Sequence, residues 1–171
     1  MTPDPAQLKI LLYPDPILRG KTHSVDPSDP DVQAIAARMI ELMFEADGAG
    51  LAAPQVGIPW RLFVTIDPAV EDGGLAWINP TLTFIESVPT EMDAEGCLSL
   101  PGITVEVDRP TQVRLDAHDI SGNPVSCDDQ LLARVFQHEF DHLEGVLIID
   151  KMTTMERIRN RKAIKLLKSS S

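Results

Sequence analysis

The residues with the clearest chemical potential lie in the pentapeptide His138-Glu139-Phe140-Asp141-His142. On a helix its two imidazoles lie one turn apart on the same face, in position to bind one metal ion. Glu139 can point into the same cavity without binding the ion, which suits a general base acting on water. The pattern predicts hydrolysis at a metal, and the alternative is a solvated His-Glu face on an ordinary helix.

Two imidazoles do not complete a catalytic site, because such a site usually takes three protein ligands and leaves a fourth position to water or substrate. The candidate third ligand is Cys97, in the turn-rich stretch 95–102. A free cysteine is more often a small buried hydrophobe, so the histidine pair carries this prediction. Cys127 is most simply a packing residue, and His23 and His118 lie outside any ligand spacing and are interpreted as ordinary turn or surface histidines.

A glycine-rich stretch at 48–57 follows a predicted helix and precedes an apolar strand. Its small residues permit close approach of the backbone, and Gln55 supplies an amide donor near its end. The spacing is not that of a dinucleotide-binding or phosphate-binding loop. On the glycines alone, a tight helix-to-strand connection is the simpler interpretation.

The pentapeptide needs a rigid helix, and the flanking sequence predicts one over about residues 128–144. Ser126 and Asp129 have capping-box spacing, and Gly145 suits a C-terminal cap. An apolar stripe, which packs the helix, consists of Leu131, Leu132, Val135 and Phe136. Imidazoles on a packed helix have little freedom, so we expect a pre-organised site.

The other elements predict an α+β fold with mainly antiparallel sheets around the metal helix. A first helix starts at Asp29-Pro30 and ends at Gly48. Strand-like runs occupy residues 61–66, 75–79, 81–86, 104–107 and 112–118. With 171 residues and 43% apolar side chains, the chain is expected to form one domain over residues 1–171.

Three segments together resemble the peptide deformylase family. That family carries, in this order, Gly-x-Gly-Leu-Ala-Ala-Pro-Gln, Glu-Gly-Cys-Leu-Ser and Gln-His-Glu-x-Asp-His, which here occupy residues 48–55, 95–99 and 137–142. The opening at residues 12–19 is also similar to the family's. The resemblance therefore spans nearly the whole chain and rests on motifs that are specific in combination.

The resemblance implies a metal site and a base. Cys97, His138 and His142 would bind one divalent ion, and Glu139 would manage the proton of the water. The family implies Fe(II) as the native metal, with Zn(II) or Ni(II) as substitutes, although the donor set itself does not choose among them. A thiolate ligand leaves the centre with a net charge near +1, which makes a positioned base and oxyanion donors more important.

The resemblance also implies the substrate, which is the formylmethionine at the N-terminus of newly made peptides. Gln55 and the backbone amide of Leu98 would face the formyl oxygen, and Gly50 would contact the peptide. Glu95 is implied to pair with Arg109 and so to brace the cysteine loop. Asp141 is expected to face another side of the helix and to make a supporting contact.

Two other functions remain open. One is a zinc endopeptidase built on the same helix, although such enzymes usually recruit a histidine or carboxylate as third ligand. The other is a catalytically silent protein that binds metal or associates with the ribosome. Nothing that the chemistry requires is missing from the three motifs.

Charge is distributed unevenly along the chain. Residues 1–150 carry 8 basic and 25 acidic side chains, a balance of −17, whereas residues 151–171 carry 7 basic and 1 acidic, a balance of +6. Thr153 and Glu156 have capping-box spacing for a basic helix over about 153–168. This helix is a candidate for docking to ribosomal RNA, and a solvated helix that neutralises its own acidic body is the alternative.

Composition also bounds the cellular context. No apolar run of 18 or more residues and no basic-then-apolar segment is seen, so we expect neither a membrane span nor a secretory signal. Its two cysteines are thirty positions apart, and bridging them would remove the proposed ligand, so a reducing compartment is preferred. We expect a soluble cytoplasmic protein, unless an organelle leader has been removed.

Overall fold

A computed structural model describes residues 3–169, so positions 1, 2, 170 and 171 of the predicted domain lie outside it. Four α-helices and seven strands are present in the described part of the chain. In chain order they are α1 (Pro30–Glu45), β1 (Gly50–Ala52), β2 (Leu62–Ile66), β3 (Gly74–Phe84), β4 (Thr90–Glu95), β5 (Val105–Pro110), β6 (Val113–His118), β7 (Pro124–Cys127), α2 (Ala133–Leu143), α3 (Thr154–Arg159) and α4 (Arg161–Ser169). No helix in residues 3–169 is long and apolar enough to cross a membrane.

The strands form two antiparallel sheets. Five strands pair in the order β1-β2-β3-β6-β7, and β4 pairs with β5 in a separate hairpin. Helix α2 packs against strands of both sheets. The predicted α+β fold, with antiparallel sheets around the motif-bearing helix and a helical C-terminus, is confirmed.

Helix α1 forms where its caps and apolar period predict it. The Asp29 carboxylate accepts a hydrogen bond from the Asp31 amide at 2.9 Å, and Pro30 occupies the first turn, where its missing N–H costs nothing. The helix was predicted to end at Gly48 but ends at Glu45, because Asp47 adopts a positive φ of 53° that a helix does not continue through. Its core face consists of Val32, Ile35, Ala36, Met39, Leu42 and Met43.

Helix α2 starts five residues later than predicted. Ser126 lies in β7, where its hydroxyl contacts Asp116, and Asp129 accepts from the Leu131 amide at 2.8 Å in a turn. The capping box is therefore wrong, because strand pairing and a local turn use both side chains. At the other end, Gly145 has a φ of 73° and follows the helix as predicted.

Strand boundaries differ from the predictions in two ways. The runs at 75–79 and 81–86 are one strand, β3, which is interrupted by a bulge between Ile78 and Thr81. Strands β1, β4 and β7 are absent from the sequence prediction. Strand β4 is exposed except for Glu95, so it carries no apolar alternation and exists through its pairing with β5.

The basic C-terminal segment forms two helices where one was predicted. The Thr153–Glu156 capping box is present, but α3 ends at Arg159 and α4 begins at Arg161. Asn160 breaks the run, and its side-chain amide donates to the Glu156 carbonyl at 3.0 Å. Ala163, Ile164 and Leu167 pack α4 onto an apolar cluster around Leu18 and Ile148.

The core around α2 fixes the helix in place. Phe136 is fully buried and meets Trp77 edge to face, with ring centroids 5.0 Å apart. Leu132 and Leu143 bury the two ends of the same face against the five-stranded sheet. The opposite face of α2, which carries the histidines, is thereby directed towards the β4–β5 hairpin.

Candidate metal centre

Three donor side chains converge in space. Cys97, in the loop after β4, and His138 and His142, one turn apart on α2, place ligand atoms within 4.8 Å of one another. Sγ of Cys97 lies 3.4 Å from Nε2 of His142. Because the hairpin and the helix are far apart in sequence, this convergence is produced by the tertiary fold.

The donors fit a small soft or borderline cation. Bond lengths of about 2.3 Å to sulfur and about 2.0 Å to nitrogen place two ligands of one tetrahedral ion about 3.5 Å apart, close to the 3.4 Å between Cys97 Sγ and His142 Nε2. His142 is 1% exposed and His138 is 9% exposed, so water does not compete freely for these atoms. Such a cysteine and histidine set suits Zn(II), Fe(II) or Ni(II) better than a hard cation.

Glu95 orients the first histidine. Its buried carboxylate lies with Oε2 3.0 Å from Nδ1 of His138, which directs the other ring nitrogen towards Cys97. Arg109 binds the same carboxylate through Nε at 2.5 Å and Nη2 at 2.9 Å, so the expected Glu95–Arg109 pair forms. Burial disfavours the charged form of Glu95, but hydrogen bonds from Arg109 and His138 outweigh it and hold its pKa well below the ordinary value.

Asp141 makes the supporting contact expected of it. Its carboxylate accepts from Arg109 Nη1 at 3.0 Å and pairs with Lys151 Nζ at 3.2 Å. It therefore joins α2 to β5 away from the donor cluster. The acidic residue next to His142 has a bracing position and does not enter the cavity.

The two histidines differ electrostatically. Burial, together with the charges of His138 and Arg109, keeps the pKa of His142 well below its ordinary value, so its imidazole is neutral. Burial also lowers the pKa of His138, but hydrogen bonds with Cys97 and Glu95 outweigh it and raise the pKa to about 10. A cation that binds His138 must therefore displace a proton.

Glu139 is the buried carboxylate beside the donors. Burial raises its pKa to about 7, and its Oε2 has no hydrogen-bond partner among residues 3–169. A Cβ on Gly50 would lie 2.5 Å from Glu139 Oε1, so only glycine leaves room for this carboxylate. The structure thus gives Gly50 a steric role that the sequence interpretation lacks, and its substrate contact remains a prediction.

Gln55 lines the same cavity, and both the oxygen and the nitrogen of its side-chain amide are hydrogen-bonded. Its Oε1 accepts from the Ala52 amide at 2.8 Å, and its Nε2 donates to the Ser99 hydroxyl at 3.1 Å and lies 3.6 Å from Cys97 Sγ. The cavity measures about 490 Å³, and Leu98, Leu100, Ile103 and Val135 form part of its apolar lining. Gln55, Leu98, Gly50 and Glu139 all line it.

Three further residues are not metal donors, and one of them was not predicted from the sequence. Cys127 is a free thiol packed beside the core of the five-stranded sheet, consistent with a packing role. His118 ends strand β6 and is half-buried with its Nδ1 inaccessible, so its interpretation as a turn residue is wrong. Arg134, which binds Glu95 and lines the cavity, was missed, although its position four residues before His138 places it on the same helix face.

Comparison with known proteins gives a consistent result. A sequence model of the Polypeptide deformylase family matches residues 7–158. Peptide deformylase 1B, chloroplastic/mitochondrial, of Arabidopsis thaliana is 46% identical over 150 residues, covering 85% of this chain and 54% of that protein. Peptide deformylase of Thermotoga sp. (strain RQ2) is 43% identical over 157 residues, covering 91% of this chain and 93% of that protein. The crystal structure of Arabidopsis peptide deformylase 1B with an inhibitor superposes with a TM-score of 0.86 at 40% identity, covering 95% and 91% of the two chains.

The mixed helix and antiparallel-sheet fold, together with a Cys/His/His group that could hold one metal ion, defines the class of protein. Within that class, the chain belongs to the polypeptide deformylase family, as the three motifs indicated. The chain spans 54% of the length of this Arabidopsis relative and 58% of that of Peptide deformylase 1B, chloroplastic, of Oryza sativa subsp. japonica, to which it is 40% identical over 157 residues.

Proposed function

We propose that this chain hydrolyses the N-formyl group of formylmethionyl peptides and releases formate. The observation that carries the proposal is the convergence of Cys97, His138 and His142 within 4.8 Å beside the buried carboxylate of Glu139. Family membership supports the same reaction, since the relatives are named peptide deformylases. The apolar part of the cavity suits a methionine side chain.

Cys97, His138 and His142 hold one divalent cation in this proposal. When bound, the ion supplies Lewis acidity that activates water and polarises the formyl carbonyl. We propose Fe(II) as the native metal because the family implies it, with Zn(II) and Ni(II) as substitutes that the same thiolate and imidazoles can accommodate.

Glu139 moves the proton. It takes a proton from the attacking water and returns it to the leaving amine, so one carboxylate serves both steps. Its raised pKa of about 7 suits both directions near neutral pH, and its unpartnered Oε2 is free to accept the proton. The product amine leaves as the free N-terminus.

Gln55 and Leu98 stabilise the developing oxyanion. The Gln55 amide is held by Ala52 and Ser99, so its Nε2 does not have to reorient during the reaction. The backbone N–H of Leu98, next to the metal-binding cysteine, is the second donor. Gly50 contacts the peptide backbone in this proposal and leaves space for Glu139.

An anaerobic assay tests the function. The Fe(II)-loaded protein should release formate from formyl-Met-Ala, and metal measured on the same sample should be close to one ion per chain. Cleavage of unformylated peptides without formate release would favour the endopeptidase alternative. Stoichiometric metal without turnover would favour the silent metal-binding alternative.

We also propose that the basic C-terminal helices dock on ribosomal RNA. Ala163, Ile164 and Leu167 anchor α4 on the core, and the exposed basic side chains of the two helices are Arg157, Arg159, Arg161, Lys162, Lys165 and Lys168. Lys162→Gln with Lys165→Gln should weaken ribosome co-sedimentation at low salt, because it removes two phosphate contacts. Co-sedimentation unchanged in this variant and after deletion of residues 153–171 would exclude docking through this segment.

Two broader features belong to the same proposal. The catalytic unit is one domain over residues 1–171, and it works in the cytoplasm. The plant relatives are named chloroplastic or chloroplastic/mitochondrial, so fractionation of the source cells, followed by immunodetection of this chain, is the deciding measurement for the compartment.

A further inference from the structure

Arg134 connects the two parts of the fold that carry the metal donors. It lies in the first turn of α2, and its guanidinium reaches both strands of the hairpin. Nη1 donates to Glu95 Oε1 at 2.9 Å and to the Val107 carbonyl at 2.9 Å, and Nη2 donates to the Glu91 carbonyl at 2.6 Å. One helical side chain thus binds β4 twice and β5 once.

These contacts bear directly on the donor geometry. Glu95 is two residues before Cys97, and Arg134 is one helical turn before His138. Any movement of the hairpin relative to α2 therefore changes the separation between the thiolate and the imidazoles. The guanidinium opposes such movement because its planar fork holds three acceptors at once.

Arg134 also fixes the carboxylate that orients His138. Arg109 and Arg134 both bind Oε1 of Glu95, while Oε2 faces Nδ1 of His138. Arg109 lies on β5 and so binds Glu95 within the hairpin. Its link to α2 runs through Asp141, which it shares with Lys151. Arg134 and His138 are thus the α2 residues that contact the Glu95 carboxylate directly.

We propose that Arg134 is a positioning residue that sets the distance between the Cys97 loop and the two histidines and thereby the affinity for the metal. This inference rests on the proposed metal site but not on the identity of the substrate. Arg134 does not bind the ion and moves no proton. It acts through Glu95 and through the two backbone carbonyls.

The test compares three full-length variants. Arg134→Met keeps much of the side-chain volume and removes every donor, and Arg134→Lys keeps the charge but cannot satisfy three acceptors together. Arg38→Met is a matched control, because Arg38 is a helical arginine with a similar side-chain exposure, 23% against 24% for Arg134. Arg38 binds two carboxylates on its own helix, α1, which is far in sequence from the metal donors.

Zinc affinity, measured by competition with a chromophoric chelator, is the first measurement. Arg134→Met should raise the Kd for Zn(II) about 10- to 100-fold, as loss of a residue that supports a ligand typically does. Arg134→Lys should raise it several-fold and Arg38→Met should leave it unchanged. The thiolate charge-transfer band of the Co(II)-substituted protein should shift in Arg134→Met and not in the control.

A purely structural role would lower the melting temperature of the metal-free protein without changing these readouts. A folded Arg134→Met variant with a zinc Kd within twofold of the parent and an unshifted cobalt band would overturn the inference. If that variant does not fold, an unchanged zinc Kd in Arg134→Lys would overturn it as well. Failure of the parent chain to bind zinc would instead refute the proposed metal site.

Discussion

At the scale of single residues, the site depends on close packing as much as on chemical type. Glu139 is kept next to the donors in a position that Gly50 leaves open, and burial raises its pKa to about 7. Glu95, with nearly the same chemistry, is held charged by Arg109 and His138 and therefore braces a ligand. Two carboxylates near the same histidine thus have different roles because their surroundings differ.

Replacing Glu139 with Gln should reduce turnover of formyl-Met-Ala by at least about 100-fold, because it removes the group that carries the proton. Metal content should stay near that of the parent, since Glu139 is not among the converging donors. Steady-state kinetics with metal analysis on the same sample provide the measurement. Near-normal turnover in this variant would refute the assigned role.

Replacing Gly50 with Ala should lower kcat about 10- to 100-fold, because the new Cβ displaces a carboxylate that must be accurately placed. The metal donors are untouched. The double variant Gly50→Ala/Glu139→Gln is the control, and it should be no slower than Glu139→Gln alone, since both changes act through one side chain. Multiplicative losses would show that Gly50 acts independently of Glu139.

At the scale of elements, the hairpin and the C-terminal helices are held by side-chain contacts across the chain. Arg134 fastens β4 and β5 to α2. Glu156 likewise fastens α3 to β5. Its carboxylate accepts a hydrogen bond from the Thr153 amide at the N-terminus of α3 at 2.8 Å and another from the Glu106 amide of β5 at 2.8 Å. Strand β5 also buries Val105 and Val107 in the apolar cluster around Leu18 and Ile148, whereas Met155 and Ile158 of α3 are exposed, so the polar contact matters more for α3.

Glu156 should make the docking of α3 dependent on pH. Hydrogen bonds from Thr153 and Glu106 lower its pKa below the ordinary value, so its stabilisation is fully present above about pH 4.3 and is lost as the pH falls through the lower folded value. Glu156→Gln should therefore lower the melting temperature of the metal-free protein at pH 7 and have a smaller effect at pH 3. The exposed Glu86→Gln variant is the control, and an equal effect of Glu156→Gln at both pH values would contradict the prediction.

At the scale of the whole molecule, the three candidate metal donors come from two regions that form separate sheets. Cys97 follows β4 of the hairpin, whereas both histidines lie on the helix that packs on the five-stranded sheet. An ion held by all three therefore ties the hairpin to the main core. The acidic body and basic C-terminus add a charge asymmetry along the chain, −17 against +6, without contributing to this link.

Removing the metal should consequently lower the melting temperature. An ion present at 1,000 times its Kd stabilises the fold by about 4 kcal/mol, which corresponds to roughly 10 °C for a chain of this size. Calorimetry with and without a chelator measures the shift. Cys97→Ser should abolish most of it and Cys127→Ser should retain it, and the opposite order would refute the assigned ligand.

The sequence by itself determined the features that depend on local spacing. The one-turn separation of His138 and His142, the Asp29 cap of α1 and the order of the three motifs all follow from neighbours in the chain, and together they predicted the fold class and the family correctly. Helical period and capping act over a few residues, so they are visible without coordinates.

Only the tertiary structure decided the features that depend on contacts between distant segments. Strand β4 is polar and exposed and exists because β5 pairs with it, and α2 starts late because β7 uses Ser126. The carboxylate that fills the space beside Gly50 and the three acceptors of Arg134 likewise lie on other elements of the fold. Such contacts are set by how the sheets and helices pack, and no pattern along the chain contains that distance information.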